Sequence, residues 1–261
     1  MFWEGLPSPL YLPRNTIHIW FLNTDDFIQY LDFFQGYLCD EEISRANRYK
    51  FDRLRHQFTI NRGFLRYLLC QYLQTNNDNI NFEYNSKGKP YLSNQKTFSS
   101  YDFDFNFNLS HSQNYTVYAL YDQQIGIDLE TIKKEVKVEQ ITKRFFTESE
   151  FQDLCQFNES DKFSYFFQLW TAKEAYLKLT GEGLSGGLSS INLGKDLHQS
   201  NWHIDFVPKR DELFLVQIKT WQILPKFYTS IAIYEQENIN INFYQADLLS
   251  IHRSFNSNIN S

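Results

Sequence analysis

The chain has 261 residues with 42% hydrophobic content, enough for one large domain or two small ones around a packed core. Its net charge of −6 argues against a general nucleic-acid binder, which needs a basic footprint, and no apolar run approaches the ~20 residues of a membrane span. Cys39, Cys70 and Cys155, odd in number and widely spaced, fit neither a disulfide framework nor a zinc site and are expected as small buried hydrophobes in a reducing cytoplasm; the opening MFWEGLPSPLYLP lacks a basic n-region, so no signal peptide is expected.

After a lead punctuated by Pro7, Pro9 and Pro13, the alternation of Ile17, Ile19 and Phe21 with His18 and Trp20 predicts a first strand. Thr24 is the expected cap of a short helix containing Phe27, Tyr30, Leu31 and Phe34, and Asp40 that of a segment basic toward its end at Arg45, Arg48 and Lys50. A helix over about 52–72 places Phe58, Leu65, Leu68, Leu69 and Tyr72 on an apolar side, with Arg53, Arg55, Arg62 and Arg66 elsewhere. In an acidic protein this local excess of cations is either a solvated face or an anion site.

Residues 80–84 alternate as a strand, which Asn85-Ser86-Lys87-Gly88-Lys89-Pro90 breaks. A glycine between two lysines lets an anion approach backbone N–H groups. Residues 102–108 alternate Phe with polar side chains and lead into Leu109-Ser110-His111-Ser112. Residues 115–121 and 125–130 read as consecutive strands joined by Asp122-Gln123-Gln124, the pattern of a hairpin. In the second, Ile125, Ile127 and Leu129 face one way and Gly126, Asp128 and Glu130 the other, putting two carboxylates about 7 Å apart on one face with a glycine that clears the approach. A solvated edge would tolerate them; a divalent cation would use them, and oxygen-only ligands favour Mg²⁺ or Mn²⁺.

Thr147 and Glu150 form a capping box for a helix through Leu154. The next helix, from about Ser160, places Phe163, Phe167, Trp170 and Leu177 on one stripe with Glu174 near its middle. A carboxylate there needs a neutraliser, either Lys178 one turn on or a metal shared with Asp128 and Glu130. Gly181 ends the helix, and the glycine-rich loop 181–187 serves as a connector or closes over a ligand arm. Residues 202–206, 213–221, 228–234 and 239–244 read as antiparallel strands, before an Asn/Ser-rich tail expected to fray. Aromatics reach 18%, so cores built on rings are expected.

Asn108-Leu109-Ser110-His111-Ser112, Gly126-Ile127-Asp128-Leu129-Glu130 and Trp170-Thr171-Ala172-Lys173-Glu174-Ala175-Tyr176-Leu177-Lys178 resemble, in order and spacing, the motifs of the 4′-phosphopantetheinyl transferases of the Sfp type, W-x-x-K-E-A subgroup. Arg144-Phe145-Phe146-Thr147-Glu148-Ser149-Glu150, Gly88-Lys89-Pro90 and the Arg-rich helix extend the resemblance. It implies an α+β fold: a pseudo-twofold pair of similar subdomains in one chain, each a small antiparallel sheet on helices, at residues 1–120 and 121–245, before a polar tail at 246–261. It implies transfer of 4′-phosphopantetheine from coenzyme A to a serine of an apo acyl or peptidyl carrier protein, with release of adenosine 3′,5′-bisphosphate, by a monomer needing neither nucleic acid nor membrane.

By the same resemblance Asp128, Glu130 and Glu174 are Mg²⁺ ligands, with Mn²⁺ as an alternative, and Lys178 meets the pyrophosphate. Coenzyme A would touch Arg45, Arg48, Arg53, Lys87, Gly88, Lys89, Pro90, Asn108, Ser110, His111 and Lys173 as well as Asp128, Glu174 and Lys178. Glu174, Lys178 and Asp128 would be catalytic, Glu174 deprotonating the serine directly or through a metal-bound water. Gln57 stands where many relatives place an arginine on the 3′-phosphate, with Arg53, Arg55 or Arg62 as substitutes. The alternatives are a metal-dependent coenzyme A or nucleotide sensor, and a protein whose acids are merely structural.

Overall fold

The computed structural model describes residues 10–93, 95, 98, 101–183, 187–193, 201–209 and 212–246. Pro7 and Pro9, the centre of the glycine loop at 184–186 and the tail beyond Ala246 lie outside these.

The first strand, β1 (Thr16–Asn23), is followed by a 3-10 turn capped by Asn23, one residue earlier than expected, and by α1 (Leu31–Gln35). α2 (Asp40–Asn47) leads to the long α3 (Asp52–Leu73), and β2 (Phe82–Tyr84) and β3 (Pro90–Leu92) form a small hairpin. β4 (Asn106–Ser112), β5 (Tyr115–Tyr121) and β6 (Ile125–Thr131) precede α4 (Val138–Phe145), α5 (Glu148–Gln156) and α6 (Glu159–Thr180). β7 (Asn201–Lys209), β8 (Glu212–Leu224), β9 (Phe227–Tyr234) and β10 (Asn240–Gln245) complete the described chain.

Two four-stranded sheets result, in the orders β10-β1-β5-β4 and β6-β9-β8-β7. Each carries a 22-residue helix on its outer face, α3 on the first and α6 on the second. The inner faces share a core of Ile17, Ile19, Val117, Ile127, Leu129 and Ile231, so the order through the molecule is helix, sheet, sheet, helix. This is the pseudo-twofold α+β pair. The outer core of the first half is built on rings, with Trp20, Phe27, Phe34, Phe64, Tyr72 and Tyr118 buried, as the aromatic content predicts.

Three expectations are corrected. β5 and β6 are not a hairpin: β5 pairs with β1 and β4, β6 pairs with β9, and Asp122-Gln123-Gln124 carries the chain from one sheet to the other. Asp122 is held there because its Oδ2 accepts from Asn15 N–H at 3.0 Å. The last strand does not finish the second subdomain; β10 crosses back to lie parallel to β1 in the first sheet. Gly126 clears no path for a ligand. A Cβ there would stand 1.9 Å from the carbonyl oxygen of Ala175, so the glycine lets α6 lie directly on β6.

That close approach decides what α6 buries. Residues on most of its circumference are inaccessible, including Leu169, Ala172, Ala175, Tyr176 and Leu179, while Phe163, Trp170 and Glu174 are only half-buried. Of the stripe read as core, Phe167 and Leu177 are buried as expected, whereas Phe163, Trp170 and Glu174 occupy its more open positions. Gly181, at φ 75°, ends α6 in the left-handed conformation, as expected. Of the cysteines Cys70 is buried, Cys39 half-buried and Cys155 exposed. No helix of the described residues is long and apolar enough to cross a membrane.

Candidate active site

β6 presents Asp128 and Glu130 toward α6, and α6 supplies Glu174 and Lys178, one turn apart and so on one face. Lys178 Nζ donates to Asp128 Oδ1 at 2.7 Å and to the Ile127 carbonyl at 3.0 Å. Ser110 Oγ donates to the same Asp128 oxygen at 2.8 Å, and Ser112 Oγ to Glu130 Oε2 at 3.1 Å.

The acids act on one another. Burial, then Asp128 and Glu130, push the Glu174 carboxyl up to about 7 against the opposing pull of Lys178. Burial and Asp128 also raise Glu130, against Ser112, Lys133 and Lys178. Asp128 Oδ2 and Glu174 Oε1 are buried without a hydrogen-bond partner. A buried carboxylate oxygen in that state carries an unrelieved desolvation cost, which a bound cation would relieve. The donor set is all oxygen, which suits a hard divalent ion. Among the described residues no group of three or more His, Cys, Asp or Glu side chains is already gathered into a metal cage. Asp128 is instead turned to Lys178 and Ser110.

Beside these groups a cavity of about 490 Å³ runs along the seam between the halves. Arg45, Tyr49, Gln57 and Phe58 wall it on the side of α2 and α3, the turn 87–90 closes one bank, and Asn108, His111, Glu174 and Lys178 form the other. Desolvation, together with the Lys178 ammonium, holds His111 below the usual imidazole range although Asp128 pulls the other way.

Residues 23–123 match the family described as 4′-phosphopantetheinyl transferase, N-terminal, and residues 124–224 match the 4′-phosphopantetheinyl transferase superfamily. The two matches abut in the link where the chain changes sheets. Over 184 residues the chain is 39% identical to 4′-phosphopantetheinyl transferase HetI of Nostoc sp., covering 70% of this chain and 76% of that relative. The chain belongs to the 4′-phosphopantetheinyl transferase superfamily. This phosphopantetheinyl transferase is also 35% identical over 174 residues to a putative relative from Synechocystis sp., covering 66% of this chain and 68% of that one. To 4′-phosphopantetheinyl transferase Sfp of Bacillus subtilis it is 28% identical over 199 residues, covering 76% and 83%, in keeping with the Sfp type.

Of the residues expected at the transferase site, Arg45, Lys87, Gly88, Lys89, Pro90, Asn108, His111, Glu174 and Lys178 line the cavity. Ser110, Asp128 and Glu130 do not line it; Asp128, with Ser110 bonded to it, is tied to the wall through Lys178, while Glu130 accepts from Ser112. Arg48 and Arg53 are exposed and do not line it. The Lys89 ammonium donates to the Ile125 carbonyl at 3.1 Å and the Lys178 carbonyl at 2.6 Å, tying the turn to the end of α6.

Lys173 does not fit a contact with a ligand. It is wholly buried on the far side of α6, 2.9 Å from Glu150 Oε2, and donates to the carbonyls of Leu188 and Ile191. Successive helix residues point about 100° apart, so the neighbour of Glu174 serves a different face. At the arginine-poor corner, Gln57 lines the cavity and donates to the Gln113 carbonyl. Arg55 pairs with Asp52, whereas Arg62 lines the cavity but is held by Glu42 at 2.8 Å and lies over the Phe82 ring. Tyr49, Phe58, Asn61 and Tyr84 also line the cavity, and nothing in their local sequence signals it.

Proposed function

We propose that this transferase moves 4′-phosphopantetheine from coenzyme A to the serine of an apo acyl or peptidyl carrier protein with Mg²⁺ (or Mn²⁺), releasing adenosine 3′,5′-bisphosphate. The observation that carries the reading is the electrostatic convergence of Asp128, Glu130, Glu174 and Lys178 beside the seam cavity. In phosphoryl-type transfer, catalysis is chiefly positioning and charge neutralisation.

The donor's adenosine end would meet Arg45, Lys87, Lys89, Pro90 and His111, and Lys178 would turn from Asp128 to the diphosphate. A divalent cation, when bound by Asp128, Glu130 and Glu174, would offset the diphosphate charge. The serine oxygen forms a bond to the phosphorus nearer the pantetheine as the bridging P–O bond breaks; adenosine bisphosphate leaves with that oxygen. Glu174, at the cavity wall one turn from Lys178, would take the serine proton directly or through a metal-bound water. With both halves in one chain, a monomer suffices.

The test is incubation with coenzyme A, Mg²⁺ and a panel of apo carriers from fatty-acid, polyketide and nonribosomal-peptide systems, read by mass for one added phosphopantetheine. Metal-dependent coenzyme A binding with no carrier modified would favour a sensor. No such binding would reduce the acids to a structural role.

A further inference from the structure

β4 is the edge of the first sheet and β6 the edge of the second, and the two edges meet without backbone pairing. Side chains bridge them instead. Asn108 Oδ1 accepts from Ile127 N–H at 2.9 Å, Ser110 Oγ donates to Asp128 Oδ1 at 2.8 Å, and Ser112 Oγ donates to Glu130 Oε2 at 3.1 Å. Positions 108, 110 and 112 share one face of their strand by its two-residue period, so the sheet edges are in register through these groups.

Ser112 carries a second bond. The Thr131 N–H donates to Ser112 Oγ at 3.2 Å. A hydroxyl has one proton to give, and with the Thr131 donor taking a lone pair that proton is directed at Glu130. Ser112 is 5% exposed and Thr131 3%, so water does not substitute at either group. Ser112 does not line the cavity.

We propose that Ser112 is a positioning residue that aims the Glu130 carboxylate at the divalent cation shared with Asp128 and Glu174. The proposal rests on the metal reading given under Proposed function. Partners that orient a metal ligand typically contribute about 10–100-fold in metal affinity when present. The sequence places Ser112 at the end of the Asn108–Ser112 motif without a role of its own; that role depends on the register between two sheets.

The experiment titrates Mn²⁺ by electron paramagnetic resonance into the full-length protein with coenzyme A present and carrier absent, so that no transfer occurs. Wild type, Ser112→Ala, Ser112→Cys and Ser112→Thr are compared, with thermal unfolding as the check of folding. Loss of the hydroxyl in Ser112→Ala is expected to weaken Mn²⁺ about tenfold or more, with Ser112→Cys similarly weak at nearly native volume and Ser112→Thr within about threefold of wild type. Wild-type Mn²⁺ affinity in Ser112→Ala overturns the role of Ser112 alone, as does equal weakening in a folded Ser112→Thr. A wild-type protein that binds no Mn²⁺ overturns the metal reading together with this one.

Discussion

Lys178 Nζ lies 2.7 Å from Asp128 Oδ1, so the cation proposed for the diphosphate and an acid proposed for the metal are bonded to each other. The pair neutralises a carboxylate that is 6% exposed in its side chain while leaving the lysine 27% exposed, able to turn to an incoming anion. Lys178→Ala should raise the coenzyme A dissociation constant about tenfold, the scale of one charge-assisted hydrogen bond, and slow transfer with the fold retained. Calorimetric titration with coenzyme A checks this, and wild-type affinity would refute the role.

Asp128→Asn keeps the side chain's volume and its bond to Ser110 while removing the charge. Metal-dependent turnover should be lost. Because Asp128 is the leading charge that raises Glu174, the Glu174 carboxyl should also fall from about 7 toward the ordinary carboxylate range. Turnover against Mg²⁺ concentration tests the first effect, and NMR titration of the side-chain carboxyl resonances without metal tests the second.

Gly126→Ala places a methyl against the Ala175 carbonyl, and backbone cannot swing aside as a side chain would. Destabilisation of about 3 kcal/mol or more is expected, a fall in Tm of roughly 10 °C for a chain of this size. The same displacement would carry Glu174 away from Asp128. Thermal unfolding decides it; an unchanged Tm would mean that α6 does not rest on β6 as described.

Lys173→Met strips the counter-ion from Glu150, both groups being wholly inaccessible. Removing one partner of a buried pair costs about 3–5 kcal/mol because the other charge is left stranded. Lys173→Met/Glu150→Gln should recover part of that loss by removing the stranded charge, but not all of it: Glu150 accepts from the Thr147 N–H on one oxygen and from the Leu193 N–H on the other, and the single amide oxygen of a glutamine can serve one of them. Denaturant unfolding of the two variants gives the comparison.

His18 makes the protein acid-sensitive from within its core. Its Nδ1 lies 2.7 Å from the Tyr72 hydroxyl, which also accepts from Trp20 Nε1, and burial lowers the imidazole to about 4. An unfolded histidine titrates near 6.5, so between about pH 6.5 and 4 the unfolded chain binds a proton that the native one refuses. Stability therefore falls with pH through that window, by about 3 kcal/mol from this residue. In His18→Phe the slope of unfolding free energy over the same range should be shallower; an identical slope would remove His18 as its source.

Much of the fold was legible because it is local. The two-residue alternation at Ile125, Ile127 and Leu129 identifies a strand and its faces, and Thr147 with Glu150 marks a helix start that the structure reproduces through the Thr147 N–H to Glu150 Oε2 bond. The three short motifs pointed to the family. Lys173 misled because sequence adjacency to Glu174 says nothing about which way a helix residue points once both helix faces are covered. Gly126 misled for a related reason: the same missing Cβ suits a ligand or a helix, and only the position of Ala175 distinguishes them.

By itself the sequence determined the element types, the acids and the superfamily, since hydrophobic period, caps and motif spacing are written in neighbouring residues. Which strand edges meet was decided only in three dimensions. β5 turns away from β6, β10 returns to β1, and β4 is fastened to β6 by Asn108, Ser110 and Ser112. Strand edges offer similar backbone donors and acceptors wherever they occur, so the choice among them rests on burying both faces of two sheets at once, a condition no local stretch contains.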